Sequence, residues 1–245
     1  MIPYFQAPAG APWSVLLTLA GMIGMHMWML RRGPRSGLTP SLAAGMHAFQ
    51  VLGAIEGGFL AGLLYEPELK KRFLAAPLEV IQLGGFSSFG WIYTGFLGAG
   101  VYLFARRVPP RLWLRYVDVA ALAFPLWWLA IRIGCSFEHD HPGARTASWI
   151  GVQFPGGTRF DLGMLEAIYT LGLLLLFVRL DRAPRPGGFF LGLFLILYGG
   201  FRLLLDQIGI GAPIWRGLNL NQWFSLEGLA LGAFISVISR RGVAA

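Results

Sequence analysis

Apolar stretches long enough to cross a bilayer recur seven times along this 245-residue chain, at about residues 13–30, 41–65, 86–105, 116–135, 162–179, 187–205 and 222–239. A hydrocarbon core takes roughly 20 apolar residues of helix per crossing, and only helices or closed barrels satisfy their backbone groups there. With 56% hydrophobic and 13% charged residues and a mean hydropathy of +0.60, the chain is too apolar for a soluble domain. The expected fold is an all-α integral membrane protein of about seven transmembrane helices. Residues 1–245 form a single polytopic domain in this reading. Two longer connections, 66–85 and 136–161, form a small head region on the outer face. The first carries a short amphipathic interfacial helix, and the second has turns at Pro142-Gly143 and Gly156-Gly157.

The basic residues outside the spans set the orientation. Arg31, Arg32 and Arg35, then Arg106, Arg107, Arg111 and Arg115, then Arg179, Arg182 and Arg185, then Arg240 and Arg241 follow the first, third, fifth and seventh spans. The other side carries only Lys70, Lys71, Arg72, Arg145, Arg159 and Arg216. By the positive-inside rule the N-terminus lies outside and the C-terminus in the cytoplasm, as in a multi-pass protein of a bacterial inner membrane. The same distribution argues against nucleic acid as a partner. The net charge of +8 is spread over helix ends rather than gathered on one surface. One cysteine, Cys135, leaves no intramolecular disulfide to form.

Two spans break their own rule. Arg132 ends an otherwise apolar run in YVDVAALAFPLWWLAIRIGCSFEHDHPG, and Arg202 lies in GGFFLGLFLILYGGFRLLLDQ one turn before Asp206. A cation at such a position costs about 2.5–3.5 kcal/mol on insertion scales, so it needs a carboxylate, a water-filled cavity or an anionic ligand. A guanidinium holds a phosphate diester through a fork of donors and can stabilise it as a leaving group. Glu56, in the middle of the second span, is a further intramembrane charge available to pair with either arginine.

Read in order, LLYEPELKKRFLAAPLEVIQLGGFSSFG, Asp118, RIGCSFEHD, RFDLGMLEA, YGGFRLLLD and GLNLNQWFSLEG resemble the prolipoprotein diacylglyceryl transferase family from about residue 50 to the end. The resemblance implies a seven-helix inner-membrane enzyme. Such an enzyme moves the diacylglyceryl group of phosphatidylglycerol onto the lipobox cysteine of a prolipoprotein, at the outer face, with no cofactor. Its partners are then an anionic phospholipid, the membrane and a prolipoprotein signal peptide. Residue by residue it assigns Arg132 and Arg202 to catalysis and phospholipid binding. Asp206, Glu166, Gln222, Ser88 and Gly90 join them in binding substrate, with Glu56 beside them. Four positions depart from the family's pattern: Phe89 stands where it has a histidine, Cys135 an asparagine, Gly58 an arginine and Ser14 a tyrosine.

Glu138-His139-Asp140-His141 follows Arg132 directly. Three readings of it stay open. His139 or His141 could take a proton from a thiol or hydroxyl in place of the family's histidine. The four residues could simply cap the helix and face water. They could also ligate a metal, but one short cluster lacks the second ligand group such sites usually show, so no metal is assigned. At the level of function, a non-catalytic lipid-binding homologue is the alternative. A lipid transporter or scramblase is less favoured, because neither inverted repeats nor broken helices are evident.

Overall fold

The computed structural model describes residues 1–4, 13–65, 67–77, 87–211, 213 and 215–241. Its helices are α1 (Trp13–Arg32), α2 (Pro40–Tyr65), α3 (Pro67–Ala75), α4 (Ser88–Ala105), α5 (Pro110–Glu138), α6 (Leu162–Leu180), α7 (Phe189–Leu205) and α8 (Leu220–Arg241). Among the described residues, six of them are long and apolar enough to cross a membrane, and α7 is a shorter apolar helix of 17 residues. The chain is therefore an all-α multi-pass membrane protein. α3 is the short helix expected in the 66–85 connection, of which residues 78–86 and Glu66 lie outside the described residues.

α5 begins at Pro110, two turns before the expected start. Proline at a helix start loses no hydrogen bond there, and arginines at a span's end can reach the interface along their aliphatic stems. Between α5 and α6 the chain forms a small antiparallel sheet of β1 (Pro142–Arg145), β2 (Val152–Phe154) and β3 (Gly157–Asp161), in the order β1-β3-β2. Pro142 and Gly143 open β1 rather than forming a turn, while Gly156 and Gly157 do turn the β2–β3 hairpin with φ of 88° and 128°. Ile2 pairs with Val152 at the sheet's edge.

The chain divides into two compact units, Met1–Arg31 with Asp118–Ala245, and Arg32–Val117. In the second unit α2 and α4 pack through backbone. A Cβ on Gly53 would come within 2.4 Å of the Thr94 carbonyl, and one on Gly98 within 2.3 Å of the Phe49 carbonyl. Helices in lipid gain little from burying apolar side chains against each other, so such close approach is what holds this pair.

In the first unit α5 buries the run Val119–Phe124 with Trp127 and Trp128, and meets α1 at Gly21, α6 through Trp128 and α7 through Asp118. Asp118 fixes the register of α7. The N-cap of α7 is Gly188, which has no capping side chain, and Asp118 Oδ1 accepts from the Leu191 N–H at 2.8 Å, supplying the cap from another helix. Leu171, Leu175 and Val178 of α6, and Leu16, Leu19 and Ile23 of α1, are exposed, as a lipid-facing surface requires.

Candidate active site

Glu166 organises the charges of the first unit. It lies in the second turn of α6 and is 1% exposed, so both its oxygens need partners from neighbouring helices. Oε1 accepts from Trp128 Nε1 of α5 at 3.0 Å and from the Tyr198 hydroxyl of α7 at 2.5 Å, and lies 3.1 Å from Arg132 Nε. Oε2 accepts from Arg202 Nη1 at 2.8 Å. Arg202 also donates from Nη2 to Asp206 Oδ1 at 3.1 Å. Two buried guanidiniums and two buried carboxylates thus close into a cluster with no net charge, which is the condition for keeping ions out of water.

Helical spacing explains the convergence. Trp128 and Arg132 on α5, and Tyr198 and Arg202 on α7, are each four residues apart and share a helix face. The Arg132 guanidinium lies 4.4 Å from the centre of the Trp128 ring, and Trp128 meets Tyr198 edge-on with ring centres 6.0 Å apart. Arg132 also directs Nη1 at Cys135 Sγ, 3.8 Å away, and a thiol is a weak acceptor. One oxygen of Asp206, Oδ2, is buried with no hydrogen-bond partner among the described residues.

The two loop histidines go to different places. α5 ends at Glu138, and His139 takes a left-handed conformation with φ of 51°, reversing the chain. His139 Nδ1 lies 2.5 Å from Asp161 Oδ2, its ring stacks on Tyr4 and meets Phe154 edge-on, and Asp161 in turn caps α6 at the Met164 N–H. The reversal turns His141 back toward the end of α5, where it pairs with Asp140. Burial works against the His141 imidazolium, but the hydrogen bond to Asp140, joined by one to Cys135, outweighs it and pushes the pKa up to about 9.

Gln222 and Asn219 form a reciprocal cap at the start of α8: Gln222 Oε1 accepts from the Asn219 N–H at 2.9 Å, and Asn219 Oδ1 accepts from the Gln222 N–H at 2.9 Å. Ser88, Gly90 and Glu56 belong to the second unit. Gly90 is a contact point of α4 with α2, where a Cβ would come within 2.6 Å of the Gly57 carbonyl, and Glu56 is exposed on α2. Phe89 is buried and stacks with Tyr93, ring centres 6.0 Å apart. Trp128, Tyr198 and Cys135 complete the first unit's polar network, and the first two belong to no motif that the sequence offers. The four-residue offsets of Trp128 and Tyr198 from the arginines were the signal available for those two.

The fold and cluster define a multi-pass membrane protein with charges closed on one another inside its helices, a class in which such charges mark a site. The model of the family described as prolipoprotein diacylglyceryl transferase matches residues 7–238. A phosphatidylglycerol–prolipoprotein diacylglyceryl transferase of Cupriavidus pinatubonensis is 32% identical over 260 residues, covering 96% of this chain and 89% of the relative. Proteins of the same name from Solidesulfovibrio magneticus, at 31% over 93% of this chain and 90% of the relative, and from Cupriavidus metallidurans, at 32% over 96% and 92%, are similar. The chain belongs to the prolipoprotein diacylglyceryl transferase family.

Proposed function

We propose that this protein transfers the diacylglyceryl group of phosphatidylglycerol to a cysteine thiol of a prolipoprotein, at the outer face of a bacterial inner membrane. Its N-terminus then lies in the periplasm and its C-terminus in the cytoplasm. The observation that carries the reading is the Arg132–Glu166–Arg202–Asp206 cluster, which sets two guanidiniums on one carboxylate within the membrane-spanning helices.

The chemistry asks for an anion site. The acceptor sulfur forms a bond to the glyceryl carbon while the bond from that carbon to the phosphate oxygen breaks. Glycerol phosphate leaves with the electron pair, and the thiol proton goes to a base or to solvent. Negative charge grows on the departing phosphate, and fixed guanidiniums in a dry site stabilise it without reorganising. Arg132 Nη1, now aimed at a weak sulfur acceptor, would gain by exchanging it for a phosphate oxygen. Asp206 Oδ2, a buried acceptor without a donor among the described residues, suits a hydroxyl of the glycerol headgroup. The thiol's proton is the step that Phe89 does not serve, since a phenyl ring carries no proton. Of the loop imidazoles, His139 is tied to Asp161, and His141 stands with Asp140 and Cys135 one turn beyond Arg132.

The test is reconstitution of the purified chain in liposomes containing phosphatidylglycerol, with a peptide bearing a lipobox cysteine. Mass spectrometry should find the diacylglyceryl mass on the cysteine and one glycerol phosphate released per product. Lipid binding without product would move the protein to a non-catalytic, lipid-binding role, with Phe89 in the histidine's place as the reason.

A further inference from the structure

The end of α5 gathers three different donor atoms. Cys135 Sγ, a carboxylate oxygen of Asp140 and a ring nitrogen of His141 all lie within 4.8 Å of one another. His139, the other imidazole of the loop, is taken up by Asp161, so the geometry exchanges it for a cysteine that the sequence spacing did not group with the acids. The thiol is held in place. A Cβ on Gly134 would come within 2.8 Å of Ser14 Cα, and one on Gly163 within 3.1 Å of both Cys135 Cβ and the Ser136 nitrogen, so α1 and α6 approach the backbone around Cys135 from two sides. The left-handed His139 then brings Asp140 and His141 back to it.

We propose that Cys135, Asp140 and His141 bind a divalent cation of the zinc class, and that this cation receives the acceptor's thiol as a thiolate. The role as thiol activator rests on the transferase reading; the binding of the cation does not.

The donor set fits. Thiolate, imidazole and carboxylate are the ligands zinc takes, at about 2.3, 2.0 and 2.0–2.2 Å, which puts tetrahedral donors roughly 3.3–3.8 Å apart. Donors up to 4.8 Å apart must close by about 1 Å, while the His141–Asp140 hydrogen bond, tighter than two donors on one cation can sit, must open, both within rotamer reach for these half-exposed side chains. Among the described residues three protein ligands gather, which leaves the fourth position open, as reactive zinc sites do and purely structural ones do not. The charges also close, because thiolate and carboxylate balance the cation. Arg132, which borders Cys135, is already paired with Glu166 and adds no bare positive charge.

The consequence answers the missing histidine. A coordinated thiol is deprotonated outright at neutral pH, so the acceptor's proton is lost to solvent on binding and no side-chain base is required. The metal-held sulfur then forms its bond to the glyceryl carbon as the carbon–oxygen bond to the phosphate breaks. The cation is neither oxidised nor reduced, and glycerol phosphate leaves on the arginines. Cys135 occupies the position where the family resemblance expects asparagine, and Phe89 the one where it expects histidine.

The experiment uses the full purified chain, stripped with a chelator and titrated with Co(II), whose thiolate bond gives a near-ultraviolet charge-transfer band. One Co(II) per chain is expected, with the band lost in Cys135→Ser and binding weakened at least tenfold in Asp140→Asn and His141→Ala, whose exposed positions leave folding intact. Transfer to the lipobox peptide should fall at least a hundredfold on stripping and return with Zn(II). No band, or an equal band in Cys135→Ser, overturns the site. Full transfer by the stripped protein overturns the thiol-activating role while leaving the transferase reading standing. A normal band with no transfer under any loading overturns that role and the transferase reading together.

Discussion

Two helix contacts, one in each unit, are made by opposite means, although glycines also bring α7 and α8 of the first unit together, where a Cβ on Gly199 would come within 2.9 Å of the Ser225 carbonyl. Around α5, α6 and α7 the contact is made of charge: a buried carboxylate joins two guanidiniums, and a tryptophan, a tyrosine and a second carboxylate complete it. Between α2 and α4 the contact is made of absence, glycines laid against carbonyl groups. Each solves the problem of binding helices in a solvent as apolar as they are. The glycine solution costs little and does one thing. The charged solution carries a desolvation cost of several kcal/mol per ion before any gain, a price justified where the charges also serve a ligand. That difference favours the first unit as the place for an anion site.

The comparison can be broken by substitution, with thermal unfolding in detergent as the common measure. The largest effect is expected from Glu166→Leu, which leaves two guanidiniums buried without their shared carboxylate and should cost about 3–5 kcal/mol. An effect below 1 kcal/mol would mean that the cluster is hydrated and not a closed core. Gly98→Leu in the second unit should cost about 1–3 kcal/mol through overpacking against the Phe49 carbonyl, with no change in the affinity of the first unit for anionic lipid. Asp118→Ala removes the cap of α7 and should cost about 1–2 kcal/mol; turnover should fall further than this stability loss predicts, because α7 carries Arg202. Smallest is Gln222→Ala. It breaks one half of the α8 cap for about 0.3–1.5 kcal/mol, and if turnover then falls a hundredfold, Gln222 touches substrate and is not merely a cap.

Much of this was legible in the sequence where one physical constraint dominates. Span length places the helices to within a few residues, the start of α5 apart, and the cost of an intramembrane arginine points to Arg132 and Arg202 as charges that need a partner or an anionic ligand. What escaped depends on the path of the chain between elements. β1–β3 are too short to show an alternating pattern, so 136–161 reads as a small ordered head with turns at Pro142-Gly143 and Gly156-Gly157 and no strands. The early start of α5 was hidden because Arg111 and Arg115 resemble loop residues in a hydropathy window. Cys135 joins Asp140 and His141 because His139 takes a left-handed turn, and although histidine, aspartate and asparagine favour that conformation among non-glycine residues, the run His139-Asp140-His141 does not show which of the three takes it.

The role proposed for Arg132 and Arg202 is to hold the phosphate of the departing glycerol phosphate. It is tested most directly by the rate of diacylglyceryl transfer in Arg132→Gln and Arg202→Gln, each compared with its lysine variant in the same liposomes. Loss of a preorganised donor to a developing anion costs about a hundredfold to a thousandfold in rate. Both glutamine variants should fall into that range, and the lysines should recover only part, because a point charge does not reproduce the guanidinium fork. Glutamine variants that fold and transfer at the wild-type rate would show that the arginines only tie α5, α6 and α7 together, and that the phosphate is held elsewhere.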